Sequence, residues 1–305
     1  MNGFFKDRRV LITGHKGFIG SRIAQRVSDE GGVVIGLDRC RCDVGDYEQV
    51  ARLFDHDRPQ VVFHLAAQTE VGKSINRPYE TYRTNVVGTL NVLECCRRWP
   101  VESAVFASSD KAYGDGPVPY RETQPLQPNA DPYSMSKLMA DELCQHYGRT
   151  FDLPVRVLRC ANVYGPGQTN GTTLVTRTIL NLLDGKPPVL HEGRSDVDRE
   201  WLYVDDAVEA YLLAASCWYP EPQVWNVGSR EVASASDVVG MIAYALDSTR
   251  LVNNDSIVRE RGPRVSIGDQ QLDSSLFRRC FPAWTTTPLE GGLRRTIAWH
   301  REQKQ

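Results

Sequence analysis

Val10-Leu11-Ile12-Thr13-Gly14-His15-Lys16-Gly17-Phe18-Ile19-Gly20 is the stretch whose reading decides how the rest of the chain is understood. Residues 8–13 are an apolar run that predicts a short buried strand. Three glycines follow, and Ile19, Ile23 and Val27 then recur at the spacing of one helix face. Strand, glycine-rich turn and helix in this order suit a dinucleotide pyrophosphate. Gly14 permits the tight turn, Gly17 lets phosphates approach the helix N-terminus, and Gly20 lets the helix pack close to the strand. The spacing is G-x-x-G-x-x-G rather than G-x-G-x-x-G, so the triplet alone also fits a plain structural turn.

The next element adds to it. Residues 33–37 predict a second strand ending at Asp38. An acid about 20 residues past the glycines is placed to bind a ribose 2′-hydroxyl and to repel a 2′-phosphate, which favours NAD over NADP. Arg39 and Arg41 nearby pull the other way, and a simple turn acid is the bland alternative. Residues 42–46 read as a turn capping a helix over 46–55, with Asp43 in reach of an adenine amino group. Residues 61–67 predict an apolar strand tapering to Leu65, Ala66 and Ala67, small enough at its end for a cofactor ring. Val86, Leu90 and Leu93 then share a helix face.

A strand over 101–106 delivers Ser109-Asp110-Lys111: a hydroxyl, a carboxylate and an ammonium in a row. Tyr133 opens a helix continued by Leu138, Leu143 and Tyr147, and Lys137 lies four residues on, so phenol and ammonium share a face. A nearby ammonium, with a nicotinamide ribose, lowers a phenol's pKa toward the working pH. Two unrelated surface residues would show the same spacing. Residues 155–158 predict another strand, leading to Asn162-Val163-Tyr164-Gly165-Pro166. Alternating strands and helices imply an α/β, Rossmann-type, doubly wound parallel sheet whose ligands bind beyond the strands' carboxyl ends. We expect residues 1–167 to form this domain, with some later segments returning to it. Residues 168–305 should form mainly a smaller α/β lobe for the substrate. There the pattern predicts helices at 173–184, 206–217, 236–246 (capped by Ser234 or Ser236) and 289–300, with a strand at 224–228 and irregular polar chain over 251–270.

Composition narrows the function classes. The net charge of −2 over 305 residues offers no electrostatic case for nucleic acid or a membrane surface. The start, MNGFFKDRRV, lacks the apolar core of a signal peptide, and no apolar run has the length of a spanning helix. Eight cysteines without a C-x-x-C or a neighbouring histidine cluster read as reduced thiols of a cytoplasmic protein, with no metal site.

Taken together, these motifs resemble the extended short-chain dehydrogenase/reductases that act on nucleotide sugars. The resemblance is carried by the residue 13–20 loop, Asp38, Asp43-Val44, His64-Leu65-Ala66-Ala67-Gln68, Asn85 to Asn91, the Ser109 segment, Tyr133 with Lys137, Asn162 to Pro166, Arg199 to Asp206, and Asn226 to Gly228. It implies NAD as cofactor. Gly14, Gly17, Phe18, Ile19 and Gly20 would border the pyrophosphate, Asp38 the adenosine ribose, and Asp43 and Val44 the adenine. Leu65, Ala66, Ala67, Tyr133 and Lys137 would line the nicotinamide half. Ser109, Asn162, Arg199 and Arg261 would hold a nucleotide-diphosphate sugar; Arg261-Gly262-Pro263-Arg264 departs from the usual order, which makes Arg264 a competitor. A homodimer through helices near 86–98 and 133–149 is a further implication.

Within that family Ser109, Asp110, Lys111, Tyr133 and Lys137 would be catalytic. Tyr133 removes a proton from a sugar hydroxyl, usually at C4, and Ser109 bonds the same oxygen. A 4-epimerase needs nothing more. A 4,6-dehydratase also needs a base at C5 and an acid at C6. Most hexose 4,6-dehydratases carry Thr-Asp-Glu here; Ser-Asp-Lys is similar to the CDP-glucose 4,6-dehydratase group. The expectation is therefore a 4,6-dehydratase, with a 4-epimerase as the alternative and a non-catalytic NAD-binding regulator as a minor one.

Overall fold

The computed structural model of the protein describes residues 3–192, 195–217, 223–252, 257–260 and 268–304. Arg261 and Arg264 lie outside the described residues. In the first half, strands and helices alternate: β1 (Arg9–Thr13), α1 (Phe18–Asp29), β2 (Val33–Leu37), α2 (Tyr47–Asp57), β3 (Val61–His64), α3 (Val71–Asn76), α4 (Pro78–Tyr82), α5 (Gly88–Arg98), β4 (Ser103–Ser109), α6 (Pro132–Phe151) and β5 (Val155–Cys160). The second half adds β6 (Asn162–Tyr164), α7 (Leu174–Leu183), β7 (Val189–His191), β8 (Asp198–Tyr203), α8 (Val204–Ser216), β9 (Gln223–Val227), β10 (Val232–Ser234), α9 (Ala235–Ala245), β11 (Val258–Glu260), α10 (Ser275–Cys280) and α11 (Leu289–Glu302).

Six strands make one parallel sheet in the order β2-β1-β3-β4-β5-β9. Thr13 pairs with both Leu37 and His64, and Ser109 with Cys160, so the carboxyl ends form a common rim. The chain runs outward from β1 to β2, then returns past β1 to build the other side. The reversal between β1 and β3 is the place where such sheets open a crevice. The strands are apolar on both faces because both are covered: Val10 and Ile12 enter one core with α1 and α8, while Leu11 enters the other with α2 and α5.

Local chemistry explains three of the helix starts. Asp46 caps α2 by accepting from the Gln49 amide, Asp131 caps α6 through the Ser134 amide, and Ser234 with Asp237 forms a capping box on α9. Of the two candidates for that last cap, Ser234 is the one used. The strand expected over 61–67 stops at His64, which leaves Leu65 to Ala67 as extended chain over the rim.

Two helix faces differ from expectation. On α5 the buried stripe includes Gly88, Thr89, Asn91, Val92, Leu93, Cys95 and Cys96, so Leu93 faces inward as expected, whereas Val86 just before the helix and Leu90 are only half-buried. On α6 it includes Ser136, Lys137, Ala140, Asp141 and Cys144, and Leu138, Leu143 and Tyr147 are half-buried. Small side chains let these two helices approach each other and the sheet. The polar ones among them serve the site described next.

The smaller lobe is built on a second sheet, β10-β8-β6, with β10 antiparallel to β8 and β6 parallel to it. Not all of the second half goes there. β9 is the sixth strand of the large sheet, and α8 packs on α1, tied by Arg22 to Asp205 (2.7 Å) and Arg26 to Glu209 (3.0 Å). Among the described residues, no helix is long and apolar enough to cross a membrane.

Candidate active site

A cleft of about 740 Å³ opens along the carboxyl rim of the large sheet. Gly14, Gly17, Phe18, Ile19, Gly20, Asp38, Asp43, Val44, Leu65, Ala66 and Ala67 line one end. Gly14 holds a left-handed φ of +71°, and a Cβ there would lie 3.1 Å from the Ala66 nitrogen. A Cβ on Gly20 would meet the Gly14 carbonyl oxygen at 2.3 Å, so helix and turn can approach only without one. Helix α1 has Gly17 as its N-cap and no capping side chain. Its first-turn N–H groups are therefore open to an anion, as a pyrophosphate requires.

Asp38 sits at the end of β2. One of its oxygens accepts from the Cys40 and Arg41 amides at 3.0 and 3.2 Å, and Lys16 pairs with the other. The Lys16 hydrogen bond leads in holding its carboxyl below the usual range, which keeps it ionised to accept ribose hydroxyls. Asp43 is held by Arg83 at 2.7 Å. Val44 is held by Asn91, whose amide donates to its carbonyl at 2.8 Å.

Beneath the rim runs a buried polar chain. The Thr13 hydroxyl oxygen accepts from the Leu65 and Ala66 amides at 3.1 and 3.0 Å and meets His64 Nδ1 at 2.9 Å. His64 Nε2 reaches the Thr89 hydroxyl at 3.1 Å, and that hydroxyl donates to the Asn85 carbonyl at 2.7 Å. With the Thr89 proton so used, Nε2 must be the donor and Nδ1 the acceptor, so His64 is a neutral Nε2–H tautomer. Burial agrees, pushing its pKa down to about 3. The Asn85 amide continues to the Gln68 carbonyl at 3.0 Å and the Ser136 hydroxyl at 2.8 Å. Ser136 donates to the Tyr133 carbonyl at 2.7 Å. These residues touch nothing in the cleft directly; they fix the residue 65–67 chain and the start of α6.

At the cleft's centre the structure brings together Ser109, Asp110, Lys111, Tyr133 and Lys137. Ser109 Oγ hydrogen-bonds Asp110 Oδ1 at 3.0 Å and also contacts the Tyr133 phenol. Burial pushes that phenol up, and the Ser109 contact opposes it. Lys137 Nζ donates to the Ala107 carbonyl at 2.9 Å. Burial brings its pKa down to about 8, close to a working pH. Lys111 Nζ bonds both oxygens of Asp110, at 2.9 and 3.0 Å, and Asn162 Oδ1 at 3.2 Å. The ion pair pulls its pKa upward, yet burial is the larger effect and holds the lysine below its ordinary value.

Asn162 lines the same cleft, and its Nδ2 donates to the Glu200 carbonyl at 3.1 Å. Arg199 is not among the lining residues. It lies one step back on β8, where its Nη1 donates to the Asp198 and Gly268 carbonyls at 2.8 and 2.7 Å. Its charge nonetheless reaches Lys111. The cleft continues past Tyr164 to Gln168, Asn170 and Thr173 at the N-terminus of α7, with Trp201 on its wall. The sequence reading missed these lining residues individually; a Thr/Asn/Gly-rich loop after residue 168 was the available signal. It also missed the buried pair of Asp141 and Arg159, which meet at 2.8 and 2.9 Å behind β4 and also hold Ser108 and Tyr113. Among the described residues, no group of His, Cys, Asp or Glu side chains is arranged to hold a metal ion.

Comparison with known proteins agrees with this geometry. Residues 10–228 match the family described as NAD dependent epimerase/dehydratase. The chain is 30% identical to a dTDP-glucose 4,6-dehydratase of Neisseria meningitidis, covering 97% of this chain and 94% of that one. Its structure is similar to a UDP-glucose 4-epimerase with UDP-glucose from Thermotoga maritima, with a TM-score of 0.88, 27% identity and coverage of 97% and 100%. It is also similar to a dTDP-glucose 4,6-dehydratase from Streptomyces venezuelae with NAD bound, with a TM-score of 0.87, 26% identity and coverage of 97% and 98%.

Proposed function

We propose, for a chain that belongs to the NAD dependent epimerase/dehydratase family, the activity of a nucleotide-sugar 4,6-dehydratase. The observation that carries this reading is Lys111: a largely but not fully buried ammonium, held below its ordinary pKa by desolvation, paired with Asp110 and two residues past the Ser109 that touches Tyr133. An enzyme that only oxidises and re-reduces C4 needs no such second acid–base pair.

The substrate is a nucleotide-diphosphate hexose and the cofactor is NAD. Gly14, Gly17 and the N-terminus of α1 hold the pyrophosphate, Asp38 the adenosine ribose, and Leu65 to Ala67 with Tyr133 and Lys137 the nicotinamide half. Bound NAD supplies an acceptor for the C4 hydride and a donor that returns it to C6. Tyr133 removes the C4 hydroxyl proton, Ser109 bonds that oxygen, and the Lys137 cation favours the phenolate. The C4 ketone acidifies C5–H. Lys111 takes that proton in its neutral form, and Asp110 delivers a proton to the departing C6 hydroxyl. Lys111 then returns its proton to C5 as C6 is reduced, and the proton taken by Tyr133 passes back to Asp110; the sum is loss of one water and a 4-keto-6-deoxy sugar. Asn162 holds the diphosphate side from the cleft wall, Arg199 acts on it by charge from one step behind, and Arg261 is a further candidate.

A second reading is favoured by the same ion pair. If Asp110 and Lys111 serve only each other, the remaining Ser109, Tyr133 and Lys137 suffice for a 4-epimerase. Incubation of the pure protein with NAD and a panel of nucleotide-hexoses separates the two. A 4-keto-6-deoxy product supports dehydration; a C4-inverted sugar that keeps its C6 hydroxyl sinks it.

The enzyme is proposed to work as a homodimer. Val87, Met139 and Phe151 are 41–43% exposed on α6 and at the start of α5, beside the half-buried Leu90, Leu138 and Leu143. A second copy would cover this face. A cytoplasmic location fits the eight unpaired thiols.

A further inference from the structure

Glu200 is a buried acid with no part in the chemistry above. Its side chain is wholly inside the protein, although its neighbour Arg199 is not. One carboxylate oxygen accepts from the Arg230 amide at 2.6 Å, the other from the Leu272 amide at 2.7 Å. The fit leaves no slack: a Cβ on Gly228 would lie 2.3 Å from the carboxylate. Arg230 holds a left-handed φ of 75°, a conformation that needs support in a non-glycine residue. The Glu200 carboxylate supplies it.

The two segments so clasped are not among the residues that line the cleft; they stand behind its substrate side. The residue 268–272 chain lies along β8, where Gln270 bridges Arg199 and the Gly268 carbonyl takes the Arg199 guanidinium at 2.7 Å. Glu200's own carbonyl accepts from Asn162, whose other amide end takes Lys111. None of these bonds touches the glycine loop, Asp38, Tyr133 or Lys137.

We infer that Glu200 is a positioning residue, whose carboxylate clamps the residue 228–230 turn and the 268–272 segment onto β8 and thereby sets Arg199 and, through Asn162, Lys111 toward the sugar nucleotide. This rests on the reading that a sugar nucleotide binds in the cleft, but not on which reaction follows. The ionised acid accepts both amides. Protonation turns one oxygen into an O–H donor facing an N–H, and the clamp loosens. Burial pushes the acid up to about 7; the Arg230 and Leu272 amides and Arg278 of α10 oppose this, and Asp110, at the end of β4, adds to it. The clamp is therefore about half open at pH 7, closes as pH rises above it and opens further below it.

The test compares wild type with Glu200→Gln, both as NAD holoenzymes. The amide presents a permanent NH₂ donor to one of the two N–H groups. With CDP-glucose, dTDP-glucose and UDP-glucose, counting elimination and C4 inversion alike, the variant should show a KM about tenfold higher at pH 8. That KM should be flat with pH, while the wild-type KM climbs as pH falls below 7. NAD affinity should be unchanged. Amide hydrogen exchange at pH 8 should quicken in residues 228–231 and 268–272 of the variant and stay the same in residues 14–20. An unchanged KM, or a lowered Tm with the wild-type KM profile intact, overturns the positioning role. If none of the three sugar nucleotides is turned over by the wild type, the functional reading fails by itself. The exchange comparison still decides the clamp: quickened exchange supports it, and unaltered exchange at 268–272 overturns it.

Discussion

The two ends of the cleft are made in different ways. At the cofactor end, backbone and small side chains do most of the shaping. Gly14 and Gly20 bring a turn, a strand and a helix within contact distance, and one carboxylate, Asp38, stands at the tip of the neighbouring strand. Apart from Tyr133 and Lys137 at the nicotinamide half, the residues that shape this end lie within the first 67. At the substrate end, the wall comes from β6, the loop after it, the start of α7 and Trp201 of β8, backed by the residue 228–230 turn and the 268–272 segment, which are distant in the chain. Long-range side-chain bonds hold them: Asn162 to Glu200, Glu200 to Arg230 and Leu272, Arg199 to Gly268. The first end is held rigid by close packing. The second depends on buried charge, and so on pH and on single atoms.

Substitutions can break or sharpen this contrast. The largest effect should come where the two ends meet. Tyr133→Phe removes the proton acceptor and should lower kcat by about 10²–10⁴-fold, with NAD and sugar-nucleotide affinities nearly unchanged. A loss of both affinities would mean that Tyr133 shapes the cleft rather than reacts in it. Next in size is the support behind both ends. Asp141→Ala leaves Arg159 charged and buried without its partner, and should cost about 3–5 kcal/mol in denaturant unfolding. A change under about 1 kcal/mol would show that this pair is not holding β5 to α6.

A pH effect should follow. His64 has its pKa pushed down to about 3, so the unfolded chain binds a proton that the folded one refuses between about 6.5 and 3. Stability from this residue is complete above pH 6.5 and is lost as pH falls. At pH 5.5 the loss should be roughly 1 kcal/mol. Measured as Tm, wild type should fall more steeply with acid than His64→Gln; parallel curves would contradict the neutral tautomer. The smallest effect belongs to the surface. Asp205→Ala breaks only the partly exposed pair with Arg22 and should cost less than about 1 kcal/mol.

The contrast also explains what could be read from the chain alone. The glycine loop, Asp38, Ala66, Ala67 and the Ser109 segment were legible because each is a short window whose chemistry depends on local spacing. Tyr133 and Lys137 were legible for the same reason. Glu200 and Asp141 were not, since an acid looks alike in sequence whether it faces water or a buried amide 72 residues away. The faces of α5 and α6 were misjudged in a related way. Val86, Leu90 and Leu93 mark an apolar stripe on one helix and Leu138, Leu143 and Tyr147 on the other; of these only Leu93 is fully buried, and the more buried stripe carries Asn91, Ser136, Lys137 and Asp141. Hydrophobic spacing alone did not single out the inward face of helices whose interior side holds a polar network.

The central claim is that Asp110 and Lys111 eliminate water from a 4-ketohexose. Turnover of a nucleotide-hexose deuterated at C4, followed by NMR of the product, tests it most directly. The account predicts deuterium at C6 of a 4-keto-6-deoxy sugar. Deuterium retained at C4 of an inverted sugar would contradict it.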